Sequence, residues 1–581
     1  MKKTFEIALD EKELKKRTSK TYLVPKKMLK KDSKEYKKLK IGDKKALKHL
    51  IKAAIILDEV YLKQDNPNNI EFREFLKEEI KKGNKKAKMA FKLFQAQRGI
   101  IAVDTESNKI ILAKGEKESA GKGFYPNDLG VNEFHEILIQ MLKDCKIKEV
   151  KEILNQRSMI VRDKKELKAL DYTNAFEKEF KEAAQELEEA AKYSTNKVFN
   201  EYLILQAKAL KENNPMLDAQ ADKKWASLQN TPLEFTISRE QYSDEMTGSV
   251  VENKELKALL KKHKIEPLSK DSIGTRVGIV NKKGTKTLLE IEKYIPLLAK
   301  NMPFYKEYNQ KIKQTKKQEC IYPQTMVDVD IVTLSGDERA FRGGMTLAQN
   351  LPNNDKLSLT IGGGRRNVYH RQVRQISDYK KLQKRLDAIL DKKLHKFYDK
   401  EADHWFTIGH ENAHSLGPKE GTEALGKYKN IIEENKADMA SLAMLDILTR
   451  EGMYSEFQKK QILVSFMADN FLKAKPTLSQ AHRVRSVMQT KYFLENKAIK
   501  VDDKGILHID LEKMIPTAQK MLKDIIRIQL DGDFKKGENY VLKHFVWTDE
   551  MERVAKKLKK IDKTLNGIVL TPLADRIVKN I

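Results

Sequence analysis

His410, Glu411 and His414 stand in the order His-Glu-Asn-Ala-His. On a helix, residues four apart lie one turn above each other on the same face. Both imidazoles can therefore face one cation, and Glu411 can reach a water at that cation's open corner. The chemistry such a set performs is metal-assisted hydrolysis, with the carboxylate moving the water's proton.

A catalytic zinc site takes three protein ligands, so a third is needed. The segment Glu433-Glu434-Asn435-Lys436-Ala437-Asp438 offers one. Ile431, Ile432, Met439, Leu442, Leu445 and Leu448 surround it at helical spacing, which predicts a helix with one buried face. Glu434 and Asp438 share a side of that helix. Glu434 can serve as the third ligand while Asp438 accepts a hydrogen bond from a ligand histidine, fixing its tautomer. Trp405, Ile408 and Leu416 flank the histidines, Gly417-Pro418 is a stop signal, and Gly421 and Gly426 lie in a short turn. Two helices joined in this way can pack antiparallel.

With these segments in hand the chain resembles the dipeptidyl peptidase III family of zinc peptidases, in the bacterial branch whose first motif has five residues. The family pairs an H-E-x-x-(G)-H motif with E-E-x-[RK]-A-[ED]. Further stretches agree in order: Phe124-Tyr125-Pro126-Asn127-Asp128-Leu129, Pro232-Leu233-Glu234-Phe235-Thr236-Ile237, Gln349-Asn350-Leu351-Pro352-Asn353 and Ala481-His482. The resemblance implies one zinc ion per chain on His410, His414 and Glu434, with Glu411 as general base and then acid. It implies Glu433 and Asp438 as partners of the ligand histidines, Glu234, Asn350 and Asn353 as the groups holding a peptide's free amino end, and His482 as a stabiliser of the transition state. Three departures stand out. Thr236 occupies the place of a family tyrosine that supports the oxyanion, Ser238-Arg239 replaces a Gly-Pro, and Arg485 does not keep the usual arginine spacing after His482.

The implied activity is hydrolysis near the free amino end of short peptides, releasing dipeptides. Two alternatives stay open: a related zinc hydrolase with another substrate, favoured by Thr236, and a zinc protein without turnover that uses a basic surface. An imidazole–carboxylate site also accepts cobalt or nickel.

Composition bounds the rest. The 581 residues, 40% of them hydrophobic, suffice for two or more domains. No run of 18 apolar residues occurs, so no membrane helix is expected, and Met1-Lys2-Lys3-Thr4-Phe5-Glu6 lacks the apolar core of a secretory signal. Cys145 and Cys320 are the only cysteines, which suits a reducing compartment; the expected location is the cytoplasm. The net charge is +29, but the lysines are dispersed and alternate with acids, so solvated helix faces are expected and nucleic acid is not a predicted partner.

The elements that must position these residues read as mostly α with a smaller β-containing part, in two lobes with a cleft between them. Helices are expected over 1–95, 134–156, 172–212 and 285–300, and almost throughout from 372 apart from 506–509. Strands are expected over 99–112, 158–163, 232–242 and 327–334. Gly362 to Arg366 reads as a turn, since the Gly-Lys-Ser/Thr ending of a phosphate loop is missing. The expected division is 1–270 with strands from 325–365 in one lobe, 271–324 and 366–535 in the catalytic lobe, and a helical 536–581 of open assignment. His49, His135, His263, His395, His508 and His544 read as ordinary surface or core residues.

Overall fold

A computed structural model describes residues 4–25, 28–104, 108–212, 214–240, 244–308, 324–339, 348–351, 365–370, 379–561, 568–570 and 573–581. The chain is mostly helical with a smaller sheet component. It divides into two compact units. The first comprises Met1–Val280, Val329–Thr346 and Asn566–Ile581, and the second comprises Asn281–Asp328 and Leu347–Leu565. The division differs from the expected one in placing 271–280 with the first unit and 325–328 and 347–365 with the second; of 536–581, whose assignment was open, 536–565 lies in the second unit and 566–581 in the first.

In the first unit, the helix Ile41–Asp65 packs along the helix Glu177–Tyr193 and against the strand Ser272–Val280. Leu47, Leu50, Ile51, Ala54 and Leu57 recur at helical spacing and are all fully buried, which is why this helix is central to the core. Leu233–Glu240 pairs antiparallel with Ser272–Val280, with Glu234 opposite Gly278 and Thr236 opposite Arg276. Ser272–Val280 pairs in turn with the end of Gln324–Gly336, where Gly274 faces Gly336 and a bulge follows Val277. No strand is expected over 272–280 from the sequence. Ile273, Thr275, Val277 and Ile279 alternate, but Gly274 and Gly278, a residue type depleted in strands, break up the run. The hairpin of Ser158–Asp163 with Glu166–Asp171 is likewise longer than expected. Leu23–Pro25 pairs in parallel with Ile568–Leu570, a short strand where helix was expected.

The second unit is helical around the helix Lys429–Ala443, called here the acidic helix. It packs against the helix Lys400–Ala413, which carries the histidine motif, and against the helices Ala481–Glu495 and Leu511–Asp531. Its buried face holds Ile431, Ile432, Met439 and Leu442. A small cluster of Leu288, Ile291, Met326, Tyr369 and Ile408 seats the middle of the motif helix. Strands Ala348–Leu351 and Arg365–His370 pair antiparallel, and the first lies against the motif helix. Ile499–Val501 and Leu507–Ile509 form a second hairpin, so strand replaces helix at 499–501 as well. Among the described residues, no helix is long and apolar enough to cross a membrane.

Candidate metal centre

The motif helix starts at Asp399, whose side chain accepts from the Glu401 amide at 2.8 Å, and Glu401 and Asp403 follow in the first turn. Both features suit a helix N-terminus, with its unpaired amides and positive dipole end. His410 lies in the last turn and His414 caps the C-terminus, its amide still donating to His410 O at 3.2 Å. Gly417, at φ +87°, then turns the chain. The left-handed region favours glycine, and Ile526, Lys436 and Met302 crowd the position. Gly421 and Gly426 also have positive φ around the connecting 3-10 turn Thr422–Tyr428. The chain thus reverses into the acidic helix, and the two helices run antiparallel. Phe406 meets Ser441, His410 meets Asp438, and His414 meets Glu433.

The side chains converge. His410 Nε2 and His414 Nε2 are 3.1 Å apart. Glu434 places Oε2 3.5 Å from His410 Nε2 and Oε1 4.0 Å from His414 Nε2. One ligand atom from each residue lies within 4.8 Å of the other two, a set that could hold a metal ion. For zinc with Zn–N bonds of 2.0–2.1 Å, a tetrahedral site has edges of about 3.3 Å, so these spacings suit a single ion.

Protonation supports the same fit. His410 Nδ1 is 2.7 Å from Asp438 Oδ1, and His414 Nδ1 is 2.9 Å from Glu433 Oε1. A carboxylate only accepts, so each Nδ1 donates and each Nε2 is left as a lone pair. Burial pushes His410 down to about 3 and His414 down to about 4, so both rings are neutral at pH 7. Two bare lone pairs facing each other beside a carboxylate repel unless a cation sits among them. Burial pushes the Glu434 carboxyl up, but His482 beside it and the two ligand histidines outweigh this and hold it below the ordinary range. For Glu433, burial is likewise outweighed by Lys436 and His414.

The other expected site residues fall as follows. Glu411 is buried on the motif helix next to His410. His482 opens the helix Ala481–Glu495 and puts Nδ1 3.0 Å from Glu434 Oε2. Arg485, of open role in the sequence, pairs with Asp438 Oδ2 through Nη1. Glu234 is in the first unit, fully buried, and its Oε1 accepts from Trp225 Nε1 at 2.8 Å and Thr236 Oγ1 at 2.9 Å. Asn350 lies on the strand beside the motif helix, opposite Asn367. Asn353 and the glycines of 362–364 lie outside the described residues, as does Cys320.

Four residues escape the sequence reading. Lys436 is fully buried, and its Nζ donates to Leu416 O at 2.7 Å and meets Glu433 Oε1 at 2.8 Å. Gly409 lets the two helices touch, since a Cβ there would meet Ser441 Oγ at 2.3 Å. Gln489 donates to Asp438 Oδ2 at 2.9 Å, and Gln529 donates to Glu433 Oε2 at 2.9 Å. For Gln489 a signal existed: it stands seven residues after His482, two turns on along the same helix face.

No protein-family model matches the chain. It is 22% identical over 597 aligned residues to Nudix hydrolase 3 of Arabidopsis thaliana, a match covering 92% of this chain and 72% of that protein. Two solved structures share its fold. Dipeptidyl peptidase III from Caldithrix abyssi aligns with a TM-score of 0.74 at 22% identity, over 97% of this chain and 100% of the other. Dipeptidyl-peptidase III from Corallococcus sp. strain EGB aligns with a TM-score of 0.79 at 21% identity, over 98% of each. The chain therefore has the dipeptidyl peptidase III fold over nearly its full length.

Proposed function

We propose that this chain, built on that fold, is a zinc-dependent exopeptidase that releases dipeptides from the free amino end of short peptides. The observation that carries this reading is the meeting of two neutral imidazole lone pairs with the Glu434 carboxylate, on the helix that also carries Glu411. His410, His414 and Glu434 would hold the ion. When bound there, zinc would supply Lewis-acid polarisation of the scissile carbonyl and acidify a water. Glu411 takes the proton of the attacking water and returns it to the leaving nitrogen. Asp438 and Glu433 keep the Nδ1 protons in place, so the Nε2 atoms stay available as ligands. His482, 54% exposed and anchored by Glu434, offers its ring to the developing oxyanion. Glu234, Asn350 and Asn353 are assigned to the amino end of the substrate, which would fix cleavage at a set distance from it.

A second reading, a hydrolase of this fold with another substrate, is favoured by one observation. The Thr236 hydroxyl is spent on Glu234 Oε1, so it does not stand in for a tyrosine donor. The name of the plant relative describes that protein and adds nothing to this choice.

The test pairs Glu411→Gln with a peptide digest read by mass spectrometry. The variant should keep zinc and lose hydrolysis by about 10²–10⁴-fold. Dipeptides should come from free amino ends and not from blocked ones. Turnover unchanged in Glu411→Gln would remove the assigned base, and cleavage of blocked peptides would favour the second reading.

A further inference from the structure

We propose that Gln489 and Gln529 are positioning residues that set the metal affinity of the site, a claim that rests on the zinc reading above. Each ligand histidine is backed by a carboxylate, and each carboxylate is braced twice. Asp438 gives Oδ1 to His410, while its Oδ2 accepts from Gln489 Nε2 at 2.9 Å and pairs with Arg485. Glu433 gives Oε1 to His414 and Lys436, while its Oε2 accepts from Gln529 Nε2 at 2.9 Å. The two chains are histidine, carboxylate, glutamine in both cases, although the glutamines come from different helices, Ala481–Glu495 and Leu511–Asp531.

The division of labour follows from chemistry. Arg485 and Lys436 place positive charge against the two carboxylates. A glutamine adds no charge and contributes only direction. Its amide nitrogen must face the carboxylate, because the amide oxygen there would repel it. Both glutamines are buried, at 0% and 1% exposure, and neither amide oxygen has a protein partner among the described residues. Burying an amide is costly unless its bonds are made, so packing alone would be served as well by an apolar side chain of the same length. The amides are thus explained by what they hold: the second oxygen of each carboxylate, and through it the plane and tautomer of each imidazole. Gln489 also donates to Asn435 Oδ1 at 2.9 Å, which sets the acidic helix in register with the helix bearing His482.

The experiment uses the full-length protein with Gln489→Met and Gln529→Met. Methionine preserves length and packing but removes the donor. Zinc affinity is measured by competition with a chromophoric chelator, melting is followed without metal, and turnover is expressed per bound zinc. The expected result is about 10–100-fold weaker zinc binding in each variant, in protein that still melts cooperatively without metal, with turnover per bound zinc falling less than the affinity. Wild-type affinity in a folded variant overturns the claim for that residue. The two residues lie on separate helices, so each variant tests the claim without the other. Failure of the functional reading looks different: the native protein would bind zinc and cleave no peptide.

Discussion

His482 Nδ1 lies 3.0 Å from Glu434 Oε2, while more than half of the imidazole stays open to solvent. The histidine assigned to the transition state is therefore tied to the carboxylate assigned to the metal. One ring nitrogen is anchored and the rest of the ring faces outward. His482→Ala should lower kcat by roughly 10²-fold, the size of a lost oxyanion donor, and leave zinc stoichiometry intact. Steady-state kinetics alongside metal analysis checks this, and an unchanged kcat would take His482 out of the reaction.

Gly409→Ala sets two effects against each other. Alanine gains about 1 kcal/mol of helix propensity over glycine. The new Cβ, however, would meet Ser441 Oγ at 2.3 Å and Ser441 Cβ at 3.1 Å, and Ser441 is buried with its hydroxyl bonded to Phe406 O. Overpacking of about 1–3 kcal/mol should win, spreading the helices that bring His410 to Glu434. The expected outcome is lower denaturant stability together with weaker zinc binding, both recovered on adding Ser441→Gly.

Lys436→Met should destabilise the protein. It leaves Glu433 without its buried cation and Leu416 O without its donor. Breaking a fully buried pair costs about 3–5 kcal/mol, and the 26% exposure of Glu433 reduces that figure. Urea unfolding at neutral pH measures the loss, and a change near zero would show that water replaces the ammonium.

Acid should unfold the metal-free chain early. His410 and His414 titrate at about 3 and about 4 when folded, against 6.5 for a free imidazole. Between these values the unfolded chain binds more protons than the folded one, so stability rises with pH across the window and is lost as pH falls from about 6.5 towards 4. The slope is about 1.4 kcal/mol per pH unit for each histidine. Glu433 and Glu434, both held below the ordinary carboxylate range, add loss of the same sign below about 4.5. Melting temperature against pH, compared with a control that lacks both ligand histidines (His410→Ala/His414→Ala), reads this directly, and identical profiles would contradict it.

The sequence by itself determined what is local. Spacing of four placed both imidazoles on one helix face, Gly417-Pro418 marked the turn that follows the His414 cap, and the apolar period around Glu434 gave the acidic helix its buried side. Those features rest on helix geometry, which acts over a few residues. What only the tertiary structure decided is the bracing around them. Gln489 reaches Asp438 across 51 positions and Gln529 reaches Glu433 across 96. Gln489 shares a helix face with His482, but the spacing of a neutral side chain does not name so distant a partner. The strand Ser272–Val280 was hidden for a related reason: Gly274 and Gly278 weaken its signal, and only the close approach of Glu338 and Val329 in the fold explains why glycine stands there.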